Sequence, residues 1–124
     1  MEKRPKVCNL CGGKVILINT GTKYSKSGFI YKCVNCGASV CTHPNTIDAM
    51  GTLADYETKK KRREVHQWFD KLYKTHEERE MLYEKLALAL GIELDQCHFA
   101  LMDMEMLDKA LEIIKKWWLE TFDR

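Results

Sequence analysis

The sequence predicts an α+β fold in which a β-hairpin packs against about three α-helices, within a single domain spanning residues 1–124. Two copies of a C-x-x-C-G motif, separated by 21 residues, enclose two short apolar runs near the start of the chain. From residue 51 onwards, apolar residues recur at helical spacing. We therefore expect a zinc-ribbon portion over residues 1–50 and a helical portion over residues 51–124.

The hairpin is predicted by two strand-like runs joined by turn-forming residues. Residues 15–18 and 29–31 are rich in β-branched and aromatic side chains, which favour strands. Residues 19–28 between them are rich in Gly, Ser, Asn and Thr, which is typical of a connection. The stretch over residues 37–51 shows no strand pattern and is expected to be irregular, with a turn at Pro44.

Three helices are predicted by their apolar stripes and their capping residues. The first is expected over residues 52–76, because a Thr-Leu-Ala-Asp variant of the capping box stands at its start. The second begins at a fuller capping box that joins Thr75 to Glu78, and it ends at Gly91 in a Schellman motif. The third follows a connector and is capped by Asp103.

Cys8, Cys11, Cys33 and Cys36 predict one structural zinc site. Two residues between the cysteines of a pair allow a tight turn to direct both sulfurs at one ion, and the following glycine can adopt a positive φ. Four thiolates suit Zn²⁺ and leave no position for water or substrate, so the ion is structural and its binding contributes to folding. A hairpin between two such knuckles is typical of a zinc ribbon. The alternative, two thioredoxin-like redox pairs, requires a βαβ context that is absent here.

Four further residues are candidate ligands: Cys41, His43, Cys97 and His98. They would form a second metal site, or one of them would replace a ligand in the first. The alternative is that Cys97 is a small buried hydrophobe and the histidines are satisfied by local contacts.

The net charge of +2 conceals a marked asymmetry along the chain. Residues 1–51 carry seven Lys/Arg against two Asp/Glu, whereas residues 76–124 carry six against twelve, a net −6. Such a distribution selects partners without determining the fold. Four acidic residues of the predicted second helix form a candidate partner surface, although they would equally suit a solvated helix start. These residues are Glu77, Glu78, Glu80 and Glu84.

A basic run lies inside the predicted first helix and consists of Lys59, Lys60, Lys61, Arg62 and Arg63. Five consecutive helical residues sweep around the whole axis, so no apolar stripe passes through them and the segment is expected to protrude. Such a run would contact phosphate in nucleic acid, or it would form a solvated helix face in which the aliphatic parts of the Lys and Arg side chains lie along the protein surface.

Catalysis is the weakest of the functions that the sequence suggests. His66 and Asp70 are four residues apart on the predicted first helix and would bind a metal in a metal-dependent nuclease, or they would simply pair across one turn. The chain contains no nucleophile elbow, phosphate loop or H-E-x-x-H motif. It also lacks an apolar run of about 20 residues and an apolar signal region. We therefore expect a cytoplasmic protein that is not an enzyme and not a membrane protein.

The chain resembles a family of small zinc-finger-containing proteins found in bacteriophages and prophages, and the resemblance covers nearly its whole length. The most specific element is the GTLAD sequence at residues 51–55. Where this chain has Cys41, the family pattern has a small residue, often Gly, which argues against a ligand role for this cysteine. The motifs that carry the resemblance are Cys8-x-x-Cys11-Gly12-Gly13, Tyr31-x-Cys33-x-x-Cys36-Gly37-Ala38, His43-Pro44, Gly51-Thr52-Leu53-Ala54-Asp55, Arg63-x-x-His66-x-x-x-Asp70 and Cys97-His98.

This resemblance implies a function that composition and spacing do not. Some small phage proteins of this type look like inhibitors of host defence, including anti-CRISPR proteins that act on an RNA-guided nuclease. The resemblance therefore implies a non-catalytic protein that binds a bacterial CRISPR effector nuclease, with the acidic part facing a basic effector. The alternative is a nucleic-acid-binding zinc ribbon that uses residues 59–63 and the basic N-terminal part.

Overall fold

The structure is a computed structural model that describes residues 2–23 and 25–122. It contains two compact units, Met1–Glu57 and Thr58–Arg124, each with its own cluster of buried apolar residues. The boundary lies a few residues beyond the one expected at residue 50. A single domain over the whole chain stays a prediction, and the two units are described separately below.

The first unit contains a three-stranded antiparallel sheet. Its strands are β1 (Val15–Asn19), β2 (Phe29–Cys33) and β3 (Ser39–Cys41), in the order β1-β2-β3. The hairpin of β1 and β2 confirms the prediction, and it pairs Val15 with Cys33. The expectation that residues 37–51 are wholly irregular was wrong for β3. A strand of three residues is too short to display alternation in the sequence.

The buried face of this sheet forms the core of the first unit. Val15, Tyr31, Cys33 and Val40 are all buried, as alternation along paired strands requires. The Tyr31 hydroxyl donates a 2.6 Å hydrogen bond to the carbonyl of Ile47, which satisfies its polar end inside this core.

The segment before the first helix is extended rather than helical. Ser39 and Ala54 exchange two backbone hydrogen bonds of 3.1 and 3.0 Å, which lay this segment alongside β3. Leu53 is buried in the core of the first unit. The predicted helix start at Thr52 was therefore wrong, because pairing with a distant strand outweighs a local capping signal.

Three α-helices lie within the described residues: α1 (Tyr56–Asp70), α2 (His76–Leu90) and α3 (Met104–Phe122). Together with the sheet they confirm the predicted α+β class. Helix α1 is shorter than predicted at both ends. Its expected end at His76 was wrong, because Thr75 takes the extended conformation of an N-cap for α2. No helix in residues 2–23 and 25–122 is long and apolar enough to cross a membrane.

The predicted caps of α2 and α3 are present. The Thr75 hydroxyl accepts a hydrogen bond from the Glu78 N–H at 3.2 Å. The Glu78 carboxylate accepts a hydrogen bond from the N–H of Lys74 at 3.1 Å. In a standard capping box it would accept from the N–H of the N-cap residue itself, Thr75. At α3, the Asp103 carboxylate accepts from the Met106 N–H at 2.9 Å. The left-handed conformation of Gly91, with φ of 71°, ends α2 as expected.

The core of the second unit is centred on Phe69. This ring is fully buried and contacts Tyr83 and Phe99, with ring centroids 4.5 and 5.3 Å away. The apolar stripes predicted for the helices supply most of the other buried residues, which are Val65, Leu86, Leu107, Ala110, Leu111 and Ile114.

Candidate metal centre

The side chains of Cys8, Cys11, Cys33 and Cys36 meet at one end of the first unit. Their four Sγ atoms all lie within 4.8 Å of one another. The Cys8–Cys36 pair is separated by 3.7 Å and the Cys11–Cys33 pair by 3.4 Å. A tetrahedral zinc ion with bonds of about 2.3 Å places its sulfur ligands about 3.8 Å apart. The spacing of the cluster therefore fits one zinc ion with four thiolate ligands.

Each cysteine pair is held by a tight turn that closes on the following glycine. The Gly12 N–H donates to the Cys8 carbonyl at 2.9 Å, and the Gly37 N–H donates to the Cys33 carbonyl at 3.1 Å. Gly12 and Gly37 have φ of 77° and 81°. The positive φ that the sequence predicts after each pair is confirmed, and it gives the two knuckles equivalent turns.

Several N–H groups point at the sulfur atoms. Such bonds spread the negative charge of a thiolate cluster and orient the ligands. The Asn35 side chain also donates to Cys11 Sγ, at 3.4 Å, so a residue of the second knuckle supports a ligand of the first. This role was not predicted from the sequence, although an amide inside a C-x-x-C pair was the available signal. The backbone donors are Leu10 to Cys8, Gly13 to Cys11, and both Asn35 and Cys36 to Cys33.

Asn9 connects the first knuckle to the segment that precedes α1. Its side-chain amide donates to the Leu53 carbonyl and its side-chain oxygen accepts from the Leu53 N–H, both at 3.0 Å. These reciprocal bonds satisfy both polar backbone groups of a buried residue. They link the metal centre to residues 44 positions further along the chain.

The thiols of the cluster differ in acidity. The hydrogen bond from the Asn35 side chain, followed by that from the Gly13 N–H, lowers the pKa of Cys11 to about 6. At Cys36 the hydrogen bond from the Ala38 N–H lowers the pKa. Desolvation, together with the hydrogen bonds that the neighbouring thiols make, outweighs this effect and raises the pKa to about 12. Without metal, the Cys11 thiol therefore ionises before that of Cys36, which holds its proton.

Zinc affinity is expected to fall as the pH is lowered. Zinc binds thiolates, so it must displace every proton that the metal-free cluster holds. With a pKa of about 12, Cys36 retains its proton at neutral pH, whereas Cys11, at about 6, is already ionised there. Affinity should therefore drop at least about tenfold per pH unit between pH 8 and pH 6.5, since each displaced proton contributes one factor of ten. Competition with a chromophoric chelator at several pH values measures this slope, and a flat profile would contradict it.

The other candidate ligands do not form a metal site. Within residues 2–23 and 25–122, the four cysteines are the one group of three or more Cys, His, Asp or Glu side chains close enough to hold an ion. Cys41 lies half-buried on β3, and Cys97 is fully buried in the core of the second unit. Burial raises the pKa of the Cys97 thiol to about 11, so it behaves as the small hydrophobe that the sequence allowed.

The basic run does not protrude as a whole, so that expectation was wrong. Lys61 Nζ lies 3.5 Å from Asp108, and two N–H groups of Arg62 donate to the Met102 carbonyl at 2.9 and 3.3 Å. Lys60 and Arg63 are exposed. Long basic side chains can extend along the protein surface to reach neighbouring elements, so basic residues all round a helix do not require it to protrude.

All four acidic candidates on α2 are exposed, but they differ in their contacts. Glu78 caps the helix, as described above. Glu80 lies 3.2 Å from Arg79 and 3.8 Å from His76. Glu77 and Glu84 make no hydrogen bond or ion pair among the described residues. Only these last two therefore present carboxylates that the second unit does not already use.

His66 and Asp70 pair with each other across one turn of α1. His66 Nδ1 lies 3.0 Å from Asp70 Oδ2, and the Tyr73 hydroxyl donates to Asp70 Oδ1 at 2.7 Å. No third metal-ligating side chain joins them among residues 2–23 and 25–122. The ligand set that a metal-dependent nuclease would require at this point is therefore not assembled.

A small antiparallel sheet with a four-cysteine site for one structural zinc ion defines a zinc-finger protein. A model of the zinc-finger-containing domain matches residues 4–117, and the chain belongs to this family. The match includes both knuckles, the whole sheet and most of α3. No curated protein and no solved structure matches the chain.

Proposed function

We propose that this zinc-finger protein is a non-catalytic bacteriophage protein that inhibits a bacterial defence system by binding, as an anti-CRISPR protein that blocks an RNA-guided nuclease effector. The phage origin rests on the resemblance of its motifs. A zinc site filled by four thiolates supports binding rather than catalysis, because it offers no coordination position to a substrate or water. Function then depends on the surfaces of the protein, in the cytoplasm of the bacterial host.

The observation that carries the proposal is the outer face of α2, formed by Glu77, Met81, Glu84 and Leu88. These residues follow one another at helical spacing of four, three and four, so they share one face. Met81 is 68% and Leu88 84% exposed, although both are large and apolar. A helix that presents apolar side chains to solvent, flanked by unpaired carboxylates, suits insertion into a groove of a partner.

Charge favours a basic partner for this face. The part of the chain that contains α2, residues 76–124, carries a net −6. RNA-guided nucleases hold their nucleic acids in positively charged channels. A helix with carboxylates beside apolar side chains would compete with nucleic acid for such a channel, and its association would be accelerated at low salt.

Binding and cleavage assays with purified RNA-guided nucleases test the proposal. We expect the zinc-loaded protein to co-elute with at least one effector and to inhibit its DNA cleavage. The double variant Glu77→Lys/Glu84→Lys should abolish both effects, and Met81→Ser/Leu88→Ser should weaken them, since all four side chains belong to the outer face of α2. Far-UV circular dichroism verifies that α2 remains folded in both variants.

The matched control is Glu112→Lys/Glu120→Lys. Both residues are exposed on α3 and make no hydrogen bond or ion pair among the described residues, and the charge change equals that of the α2 double variant. It should leave binding almost unchanged. Equal loss in the control and the α2 variant would show that net charge, not the α2 face, governs binding and would refute the proposal.

A gel-shift titration against salt tests the nucleic-acid-binding alternative. We expect no complex with DNA or RNA at micromolar protein and physiological salt. Micromolar binding with a steep salt dependence, lost on neutralising the exposed Lys60 and Arg63, would favour a nucleic-acid-binding zinc ribbon instead.

A further inference from the structure

The outer edge of β1 belongs neither to the zinc site nor to the outer face of α2. β1 pairs with β2 on one side, so it is an outer strand of the sheet. On its other side, described residues reach it only at its start, where the Val15 N–H donates to the Lys6 carbonyl at 3.0 Å. Towards the N-terminus, residues 3–4 contact Ala49 and Asp48 instead. We propose that the uncovered remainder of β1 binds an extended acidic segment of a partner protein, which adds a strand to the sheet.

The backbone groups of alternate β1 residues point away from β2. The Val34 N–H donates to the Lys14 carbonyl at 2.9 Å, so the even-numbered residues of β1 are those whose N–H and C=O groups face β2. The backbone groups of Leu17 and Asn19 therefore face outwards. On that side they make no hydrogen bond among the residues that the structure describes. Free groups of this kind form the hydrogen bonds of an added strand.

The core of the first unit is incompletely closed at this edge. Leu17 lies on the core side of the sheet, because its neighbour across the strands is the buried Tyr31. It is 39% exposed, whereas Val15, Tyr31 and Val40 on the same side are at most 8% exposed. Outer strands are usually protected by charged side chains, but β1 contains none. An apolar residue of an added strand, placed beside Leu17, would complete this side of the core.

Charge favours an acidic segment. Residues 3–47 contain seven Lys/Arg and no Asp or Glu. This excess exceeds the net −2 of a zinc ion with four thiolates. Lys14 and Lys32 lie on the side of the sheet opposite the core, because Lys32 pairs with Ile16 and Lys14 precedes Ile16 by two positions. Both lysines are exposed and form no ion pair among the described residues. Carboxylates on this side of an added strand would therefore lie near unpaired ammonium groups.

The two sides of the edge together define the sequence of the segment. Side chains alternate between the two sides of a strand, so apolar residues beside Leu17 should alternate with acidic residues beside Lys14 and Lys32. In an antiparallel strand, the apolar residues are those whose N–H groups face β1, because hydrogen-bonded neighbours have their side chains on the same side. A second copy of β1 does not meet this requirement, since it brings lysines rather than carboxylates.

Fluorescence anisotropy with the full zinc-loaded chain tests this edge with three labelled heptapeptides. The first alternates Glu and Val, the second has Lys in place of each Glu, and the third carries N-methyl groups on its Val residues. These methyl groups remove the N–H donors that would face β1 and leave the charge unchanged. We expect saturable binding of the first peptide, and at least about tenfold weaker binding of the other two. Absence of saturable binding, or equal affinity for either control peptide, would refute the proposal.

Leu17→Pro tests the backbone contact. It removes the outward N–H of residue 17 without removing a hydrogen bond to β2, a position at which outer strands tolerate proline. We expect binding of the Glu-Val peptide to weaken at least about tenfold, with zinc content and thermal unfolding retained. Leu17→Val keeps the N–H and is the matched control, so it should bind nearly as the wild type does. Equal affinity of Leu17→Pro and Leu17→Val would contradict strand addition.

Lys14→Glu tests the charge without altering a backbone donor. It should weaken binding of the Glu-Val peptide at least about threefold. Lys3→Glu is the matched control, because Lys3 is equally a surface lysine but its carbonyl bonds to Ala49, away from β1. Equal weakening by the two variants would show general attraction and refute a defined site. A dimer that forms without peptide and is dissociated by Leu17→Pro would show that a second copy occupies the edge, which would also overturn the proposal. Neither variant alters α2, so the outcome is independent of the inhibitor assay.

Discussion

Replacing Cys33 by Ser is expected to release the zinc ion and to unfold residues 1–57. Cys33 is 1% exposed, pairs with β1, and accepts hydrogen bonds from two backbone N–H groups at its sulfur. A serine hydroxyl does not ionise at neutral pH and cannot replace a thiolate ligand. Structural zinc contributes about 10–16 kcal/mol of binding free energy, most of which is folding free energy in so small a unit.

The first unit cannot compensate for this loss with its core. Among the residues that the structure describes, its buried apolar cluster consists of eight, two of which, Cys8 and Cys33, are themselves ligands. A core of this size rarely holds a fold without a metal or disulfide. Zinc stoichiometry by elemental analysis and limited proteolysis within residues 1–57 measure the effect.

Cys41→Ser is the matched control for Cys33→Ser. Both variants replace a cysteine sulfur by oxygen in the same sheet, but Cys41 is only half-buried and lies outside the four-cysteine cluster. We expect this variant to retain one zinc ion and to lose less than about 1 kcal/mol. A Cys33→Ser protein that kept its zinc and its resistance to protease would contradict the structural role of the site. Two zinc ions per wild-type chain would indicate a second site.

Replacing Gly13 by Ala is expected to have the second largest effect on stability and zinc binding, and this effect comes from steric crowding. A methyl group at this position would lie 2.8 Å from Asn35 Cβ and 2.9 Å from Cys33 Sγ. Neither neighbour can move freely, because a Cβ atom follows its backbone and the sulfur is held by the metal. The two knuckles must separate, which should cost about 1–3 kcal/mol and weaken zinc binding by at least about tenfold.

The variant Gly12→Ala distinguishes this steric crowding from the backbone strain that replacing a glycine of positive φ causes. At Gly12 no atom lies within 4 Å of the added methyl group, but the residue has a positive φ. Its replacement should therefore cost only the backbone strain, about 1–2 kcal/mol, without pushing the knuckles apart. Chelator competition and thermal unfolding of both variants measure the two effects. Tighter zinc binding by Gly13→Ala than by Gly12→Ala would contradict the packing argument.

The features predicted correctly from the sequence are those that depend on neighbouring residues. The spacing of each cysteine pair determines its knuckle, and the capping residues Thr75 and Asp103 act on N–H groups three positions away. The hairpin of β1 and β2 also follows from local strand and turn preferences. These features therefore need no knowledge of the tertiary structure.

The features that were missed depend on distant residues. The helix start at Thr52 was mistaken because Ala54 pairs with Ser39, fifteen positions earlier in the chain. The basic run was misjudged because Asp108 and Met102 lie beside it only in the folded second unit. The contact between the Phe99 ring and His66 on α1 likewise joins residues more than 30 positions apart. Sequence periodicity contains no information about such contacts.

The bonds between Asn9 and Leu53 have a consequence for how the sheet avoids unwanted association. An uncovered outer strand offers its free N–H and C=O groups to strands of other chains and promotes aggregation. Here Val7 pairs with Lys14 beside β1, and Ala54 pairs with Ser39 on β3. Val7 immediately precedes a zinc ligand, and the residue before Ala54 is tied to the first knuckle through Asn9. The zinc site thus anchors the segment that covers the start of β1 and the segment that lies along β3, so loss of metal would expose both places to strands of other chains as well as weaken the fold.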